Sequence, residues 1–343
     1  MTRRLGMLEV SPRLLIFGVG VVMALVSWTV WGQSPWNPFW DLSDTGETVH
    51  VLPTPESIRS PWGTYVTFAS PQNETAVYPP SYGSGNLIDH GGPEIAAAGF
   101  WAVYWNSAVA KSTATSLGYA TIQAQINAFI GAFPDNQNWD NSNTDDYTII
   151  QQYGSTAPIA NGLGNYGAFV DAQATSSRIS DSQIQSYLTS LFNAGKVAPS
   201  NHIIYGVYFP SGMRVSLQGG SSCTSFCGYH SHFGYGTYQI KYAVFPYPNC
   251  RGCSLRGLSV ADMLTIIGSH EIREAVTDPA DNGVYAWYDS AGYEADDKCA
   301  WHFLYQMTNG MFWVQPEFSN GGNTTASGFN ATYPGPGCVV PNK

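Results

Sequence analysis

Charge is what this chain has least of. Its 14 Lys and Arg and 24 Asp and Glu make up only 11% of 343 residues, under half of the roughly 25% found in ordinary soluble domains. The few basic residues form no stripe, and the formal net charge is −10. Nucleic-acid binding rests on grouped Lys and Arg, so a phosphate backbone is excluded as a partner. Cysteine is absent before Cys223, and all six cysteines lie between there and Cys338. No internal repeat is visible, and no convincing second domain.

What the chain does have is aromatic and small polar residues. Hydrophobic residues reach 44% and aromatics 14%, with 36 Gly and 21 Tyr, which is ample for a large core and has the look of an extracellular protein. Arg3, Arg4 and Arg13 precede an apolar run from Leu14 to Val26. That pattern reads as a secretory signal over residues 1–32, with a cut near Val30-Trp31-Gly32, or as an uncleaved N-terminal anchor. The expected location is therefore outside the cytoplasm: extracellular, cell-surface or periplasmic. Membrane contact is expected only through an uncleaved N-terminal segment.

An even cysteine count in an exported chain points to disulfides. The expected bridges are local, Cys223 with Cys227 and Cys250 with Cys253, while Cys299 and Cys338 close the C-terminal segment. A zinc knuckle built from the first four thiolates is the competing reading.

Residues 33–90 are rich in Pro, Gly and Ser and read as a stalk or loosely packed lead-in. From 91 to 343 a single domain is expected. Strands are expected at Ile95–Trp105, Asp146–Tyr153, Ala168–Ala172, His202–Phe209, Gln239–Phe245 and Phe312–Phe318, and helices at Thr121–Phe133 and after Ser180. Ser180-x-x-Gln183 is a capping-box signature. Mixed strands and helices in this order give an α+β class: a mixed β-sheet packed with helices, and a disulfide-bearing C-terminal third.

The chemistry concentrates in one helix, expected from Val260 to Val276 and stopped by Thr277-Asp278-Pro279. Val260, Met263, Leu264 and Ile267 form an apolar stripe, with Asp262, Thr265, Ser269 and Arg273 on the opposite, outward face. Continued toward the C-terminus, the stripe lands on His270, Glu271, Glu274 and Ala275. The core-facing side thus turns acidic halfway along. Buried carboxylates are costly unless paired, protonated or bound to metal, and Glu274 sits in the last turn, where the helix dipole disfavours an anion.

A divalent cation answers both problems. His270 and Glu274, at i and i+4, can share an ion, with Glu271 beside them as general base. This is the logic of His-Glu-x-x-His metallohydrolases with Glu as the second ligand. Glu294 and Asp297, in Gly292-Tyr-Glu-Ala-Asp-Asp-Lys-Cys299, supply further acids. His230 and His232 are expected to divide between the two faces of a strand, and His230 is the one assigned to the site. Zinc is the expected ion; a carboxylate-rich set also suits calcium or another divalent cation.

Gly268-Ser-His-Glu-Ile-Arg-Glu-Ala-Val-Thr-Asp-Pro279, Tyr285-Ala-Trp-Tyr288 and Glu294-Ala-Asp-Asp-Lys-Cys299 resemble the EXORDIUM or phosphate-induced protein family of plant cell-wall proteins and its bacterial relatives. Gly91-Gly-Pro93, the Tyr205–Phe209 strand and Cys250-x-x-Cys253 extend the resemblance over most of the chain from Gly91 onward. Arg273 stands where that family has a small residue. The resemblance implies an extracellular or cell-wall setting and a divergent zincin-like helix, without an established reaction. Two functions follow as expectations. One is a secreted, peptidase-like zinc hydrolase; the other is a non-catalytic protein binding a cell-wall polymer, with a structural metal. The corresponding partners are an extracellular peptide or a wall polymer.

Overall fold

A computed structural model describes residues 37–58, 66–70, 74–134, 147–155, 159–160, 162–307, 310–324 and 331–341. The expected signal segment lies outside these residues. Among them, no helix is long and apolar enough to cross a membrane.

The core is a seven-stranded mixed sheet. Its strands, in chain order, are β1 (Trp40–Leu42), β2 (Thr48–Pro53), β3 (Gly99–Tyr104), β4 (Gly164–Val170), β5 (Ile203–Tyr208), β6 (Phe226–Tyr235) and β7 (Tyr238–Phe245). Their spatial order is β1-β2-β6-β7-β5-β3-β4. The pairings from β1 to β7 are antiparallel and those from β7 to β4 parallel. Among the described residues, three helices of ten residues or more cover it: α1 (Ile122–Ala132), α2 (Asp181–Asn193) and α3 (Val260–Thr277). The α+β class with disulfides expected from the sequence is what the chain adopts.

Alternation along the strands builds two cores. Val103, Tyr205, Val207, Tyr229, Tyr242 and Val244 point to one face, where Ile184, Leu188 and Leu191 of α2 cover them. Phe100, Tyr104, Ile204, Ala243 and Phe245 point to the other, against Phe129 of α1 and Met263, Leu264 and Ile267 of α3. Each such Leu or Ile, fully buried, stabilises the fold by about 1.5–3 kcal/mol. Helix α3 starts at a capping box: the Ser259 hydroxyl accepts from Asp262 N at 3.1 Å, and Asp262 Oδ2 accepts from Ser259 N at 2.9 Å. Loss of such a cap costs about 1 kcal/mol.

Four expectations need correction. The lead-in is not loose at residues 37–58, because β1 and β2 belong to the main sheet. In β2, Val49 and Val51 face α2 while Leu52 faces α3. Six alternating residues amid Pro and Gly were too short a run to stand out. Thr148–Tyr153 is a 3-10 helix rather than a strand. Ile149, Ile150 and Tyr153 all enter the same core, whereas a strand would send adjacent residues to opposite faces. The segment around Phe312–Phe318 is two short strands, Trp313–Val314 and Glu317–Ser319, rather than one.

The fourth correction concerns the bridges. They run Cys223–Cys250, Cys227–Cys253 and Cys299–Cys338. Only the last follows the expected pairing. The turn before β6 and the loop after β7 lie backbone to backbone, so closely that a Cβ on Gly252 would stand 2.4 Å from the Cys223 carbonyl oxygen. The four cysteines therefore pair across the two segments rather than within each. With every thiol bridged among the described residues, the zinc-knuckle reading falls. Closed disulfides belong to an oxidising, extracellular-type environment.

Candidate metal centre

Helix α3 is buried on every side from Ala261 to Thr277. The polar residues expected to face outward face a second layer of protein instead. Thr265 Oγ1 donates to the Trp313 carbonyl at 2.7 Å, and Ser269 Oγ accepts from Gln315 N at 3.2 Å. Arg273 forms an ion pair with Asp296 and donates to the Gln315 carbonyl at 2.9 Å; Glu317 lies 3.7 Å from its Nε. An amphipathic pattern marks a face that needs polar partners, and here the C-terminal segment supplies them in place of water. By fixing Asp296, Arg273 also fixes the neighbouring Asp297 against the inward face.

That inward face carries the site. His270, Glu271, Glu274, Glu294, Asp297 and His230, the six ligand or base residues expected from the sequence, come together and are all buried. His270 Nε2 lies 2.9 Å from Glu274 Oε2 and 3.8 Å from Asp297 Oδ1. From β6, His230 Nδ1 lies 3.3 Å from Glu271 Oε2 and 3.7 Å from Glu274 Oε2. Its Nε2 is 3.7 Å from Glu294 Oε2. Gly228 permits this approach of strand to helix, since a Cβ there would stand 2.4 Å from Ile267 Cγ2 and 2.9 Å from Glu271 Oε1.

The second oxygens of two of these carboxylates are held by backbone. Glu274 Oε1 accepts from Asp297 N at 2.9 Å, and Asp297 Oδ2 accepts from Glu294 N at 2.9 Å. That leaves Glu274 Oε2 and Asp297 Oδ1 turned toward the imidazoles. His270 Nε2, His230 Nε2, Glu271 Oε1 and both oxygens of Glu294 are buried with no hydrogen-bond partner. On the other edge of the His270 ring, Nδ1 lies 3.1 Å from the Gln315 amide nitrogen. That nitrogen also donates to the Asp296 carbonyl at 2.9 Å and to Asp296 Oδ1 at 3.0 Å, a network that sets the amide's orientation. Gln315 thus ties the His270 ring to Asp296 and fixes its position, as outer partners of metal-binding histidines do.

Electrostatics point the same way. Burial pushes Glu271, Glu274, Glu294 and Asp297 well above the usual carboxylate range, and their mutual repulsion pushes them further. Burial also lowers the imidazoles, His50 to about 3, His270 to about 4 and His230 well below its ordinary value. Histidines held neutral present the lone pair that a metal takes. Acids held together without donors lack positive charge.

Three expectations about individual residues change. Arg273 is buried and paired, not outward. His232 shares a face with His230 rather than opposing it, because residues two apart on a strand point the same way; it stays outside the site because it lies roughly 6–7 Å further along. His50, absent from the ligands expected from the sequence, belongs to the group: its Nδ1 contacts Glu294 Oε1, and its ring centroid is 5.1 Å from that of His230. The available signal was one histidine inside the β-branched run Thr48–Leu52. Trp40 and Tyr285, both half-buried, cover His50 at centroid distances of 4.3 and 5.0 Å.

In donor types the centre combines imidazole and carboxylate, a set that suits zinc and other divalent first-row ions. Of the other histidines, His90 stacks on Tyr288 and His302 lies beside Thr67 Oγ1, away from these ligands. Comparison of the chain with protein-family models, with curated proteins and with solved structures returns no match.

Proposed function

We propose that this protein is a metal-dependent hydrolase of the extracellular space, peptidase-like, with zinc held by His270, Glu274 and Asp297. The observation that carries the reading is Glu271. It lies on the same helix as two ligands, it is buried, and its Oε1 is engaged by no hydrogen bond. With Oε2 held 3.3 Å from His230 Nδ1, the unengaged Oε1 is the atom available to take a proton from a metal-activated water, and the carboxylate's raised affinity for protons suits that task. The disulfides and the EXORDIUM-like motifs support the extracellular setting.

A second reading has its own observation. Structural metal sites are closed while catalytic ones keep an open position, and every ligand here is buried. In that reading the protein is a non-catalytic binder of wall polymer, and the metal braces its core. One comparison separates the two: zinc content and hydrolysis of a peptide library for wild type and Glu271→Gln. The hydrolase reading expects both proteins to hold zinc and the variant to lose about 10²–10⁴-fold in rate. Zinc-replete wild type without activity on any peptide, retained by insoluble polysaccharide equally with and without Glu271, establishes the structural reading instead.

A further inference from the structure

The ligand atoms form more than one set. His270, Glu274 and Asp297 make one, with one donor atom from each within 4.8 Å of the others; His50, His230 and Glu294 make another, on the same criterion. The two sets share no residue. Glu271 stands between them, grouped with His230 of one and Glu274 of the other. A four-coordinate ion cannot be surrounded by seven side chains.

Charge leads to the same place. Glu271, Glu274, Glu294 and Asp297 carry four negative charges when ionised, and one divalent ion offsets two. The nearby guanidinium is committed elsewhere, since Arg273 pairs with Asp296 and faces Glu317. Asp278, the other acid packed behind the group, has a donor of its own in Ala286 N at 2.6 Å. The second set is also the less satisfied of the two. His50 Nδ1 and Glu294 Oε1 have only each other, and His50 Nε2, His230 Nε2 and Glu294 Oε2 take part in no hydrogen bond; all five atoms are buried.

We infer that the protein binds two divalent cations side by side, the first at His270, Glu274 and Asp297 and the second at His50, His230 and Glu294. The inference rests on the metal-site reading above and extends it to a second ion. The sets are adjacent, since His230 Nδ1 is 3.7 Å from Glu274 Oε2, so the ions occupy the paired arrangement of two-metal hydrolases. Histidine and carboxylate donors in both sets fit zinc, manganese or cobalt.

The test uses the full chain, stripped with chelator and reloaded with Zn2+ alone, with bound metal measured by elemental analysis. Two equivalents are expected for wild type, and one each for His50→Gln and His270→Gln, with circular dichroism confirming that the variants are folded. If wild type takes one ion, kept in His50→Gln and lost in His270→Gln, the second site is overturned while the proposed hydrolase stands. No bound zinc in wild type overturns both. Should His50→Gln fail to fold, Co2+ titration of wild type decides. A second equivalent that magnetically couples to the first supports the pair, and saturation at a single uncoupled equivalent refutes it.

Discussion

Strands β6 and β7 have a buried acid on each side of the sheet, and the two sides solve the same problem differently. On the α2 side, Asp181 is buried yet accepts from Tyr229 and Tyr242 hydroxyls, each at 2.6 Å, and from Gln185 at 2.8 Å. Three donors converge on that carboxylate, against the weaker repulsion of Asp44. On the α3 side, four acids and three imidazoles meet with backbone amides as the main donors, and many of their buried atoms have no partner. One cluster is complete as folded. The other asks for positive charge from outside the chain. Burial alone therefore does not distinguish a structural acid from a ligand; what faces it does.

The outward face of α3, where Arg273 pairs with Asp296, is also complete as folded, and the sharpest test gives it the deficit of the inward face. Arg273→Met leaves Asp296 and Glu317 without their cation, and we expect a loss of about 3–5 kcal/mol in urea unfolding, with weaker zinc binding because Asp297 loses its anchored neighbour. Chelation tests the α3 side directly. Removing an ion present at 100 times its Kd removes about 2.7 kcal/mol, seen as a fall in melting temperature that Zn2+ reverses.

Smaller effects should sharpen the comparison. Asp181→Asn presents an amide where three donors converge; a loss of about 1–3 kcal/mol is expected, with zinc content unchanged. An altered zinc content would show that the two sides are not independent. Gln315→Leu leaves every ligand in place but removes the amide that contacts His270 Nδ1 and donates to Asp296, so zinc affinity should fall about 10–100-fold and the chelated protein should lose about 1–3 kcal/mol.

A pH effect is the smallest. Burial raises the Asp181 carboxyl above its ordinary value of 3.8, so the native state binds its proton more tightly than the unfolded chain does. Stability present below that value is lost as pH rises through the folded one. Urea midpoints of wild type should thus fall over this range more than those of Asp181→Asn, and parallel curves would refute the assignment.

Much of the α3 side was legible in the sequence because a helix converts spacing into direction. His270, Glu271 and Glu274 face inward as their phase against Met263, Leu264 and Ile267 requires. Arg273 misled for a related reason: phase gives the angle of a side chain but not what lies there, and the outward face proved to be covered by Asp296, Trp313, Gln315 and Glu317. His50 was hidden because β2 is six residues long and its partners are distant in sequence. The disulfide pairing was illegible because it depends on two loops meeting. Spacing within either loop carries no record of that meeting.

The hairpin formed by β1 and β2 is tied to the far end of the chain. Asn37 and Trp40 side chains donate to the Gly292 carbonyl, across 255 and 252 residues, and Trp301 donates to the Pro53 carbonyl across 248. Closing loops of that length is entropically expensive and comes late in folding. The ligands are drawn from both sides of this closure, with His50 before it and Glu294 and Asp297 after. During synthesis, the centre therefore cannot assemble until Asp297 has left the ribosome, and any metal uptake would report that the chain has been made at least that far and threaded correctly.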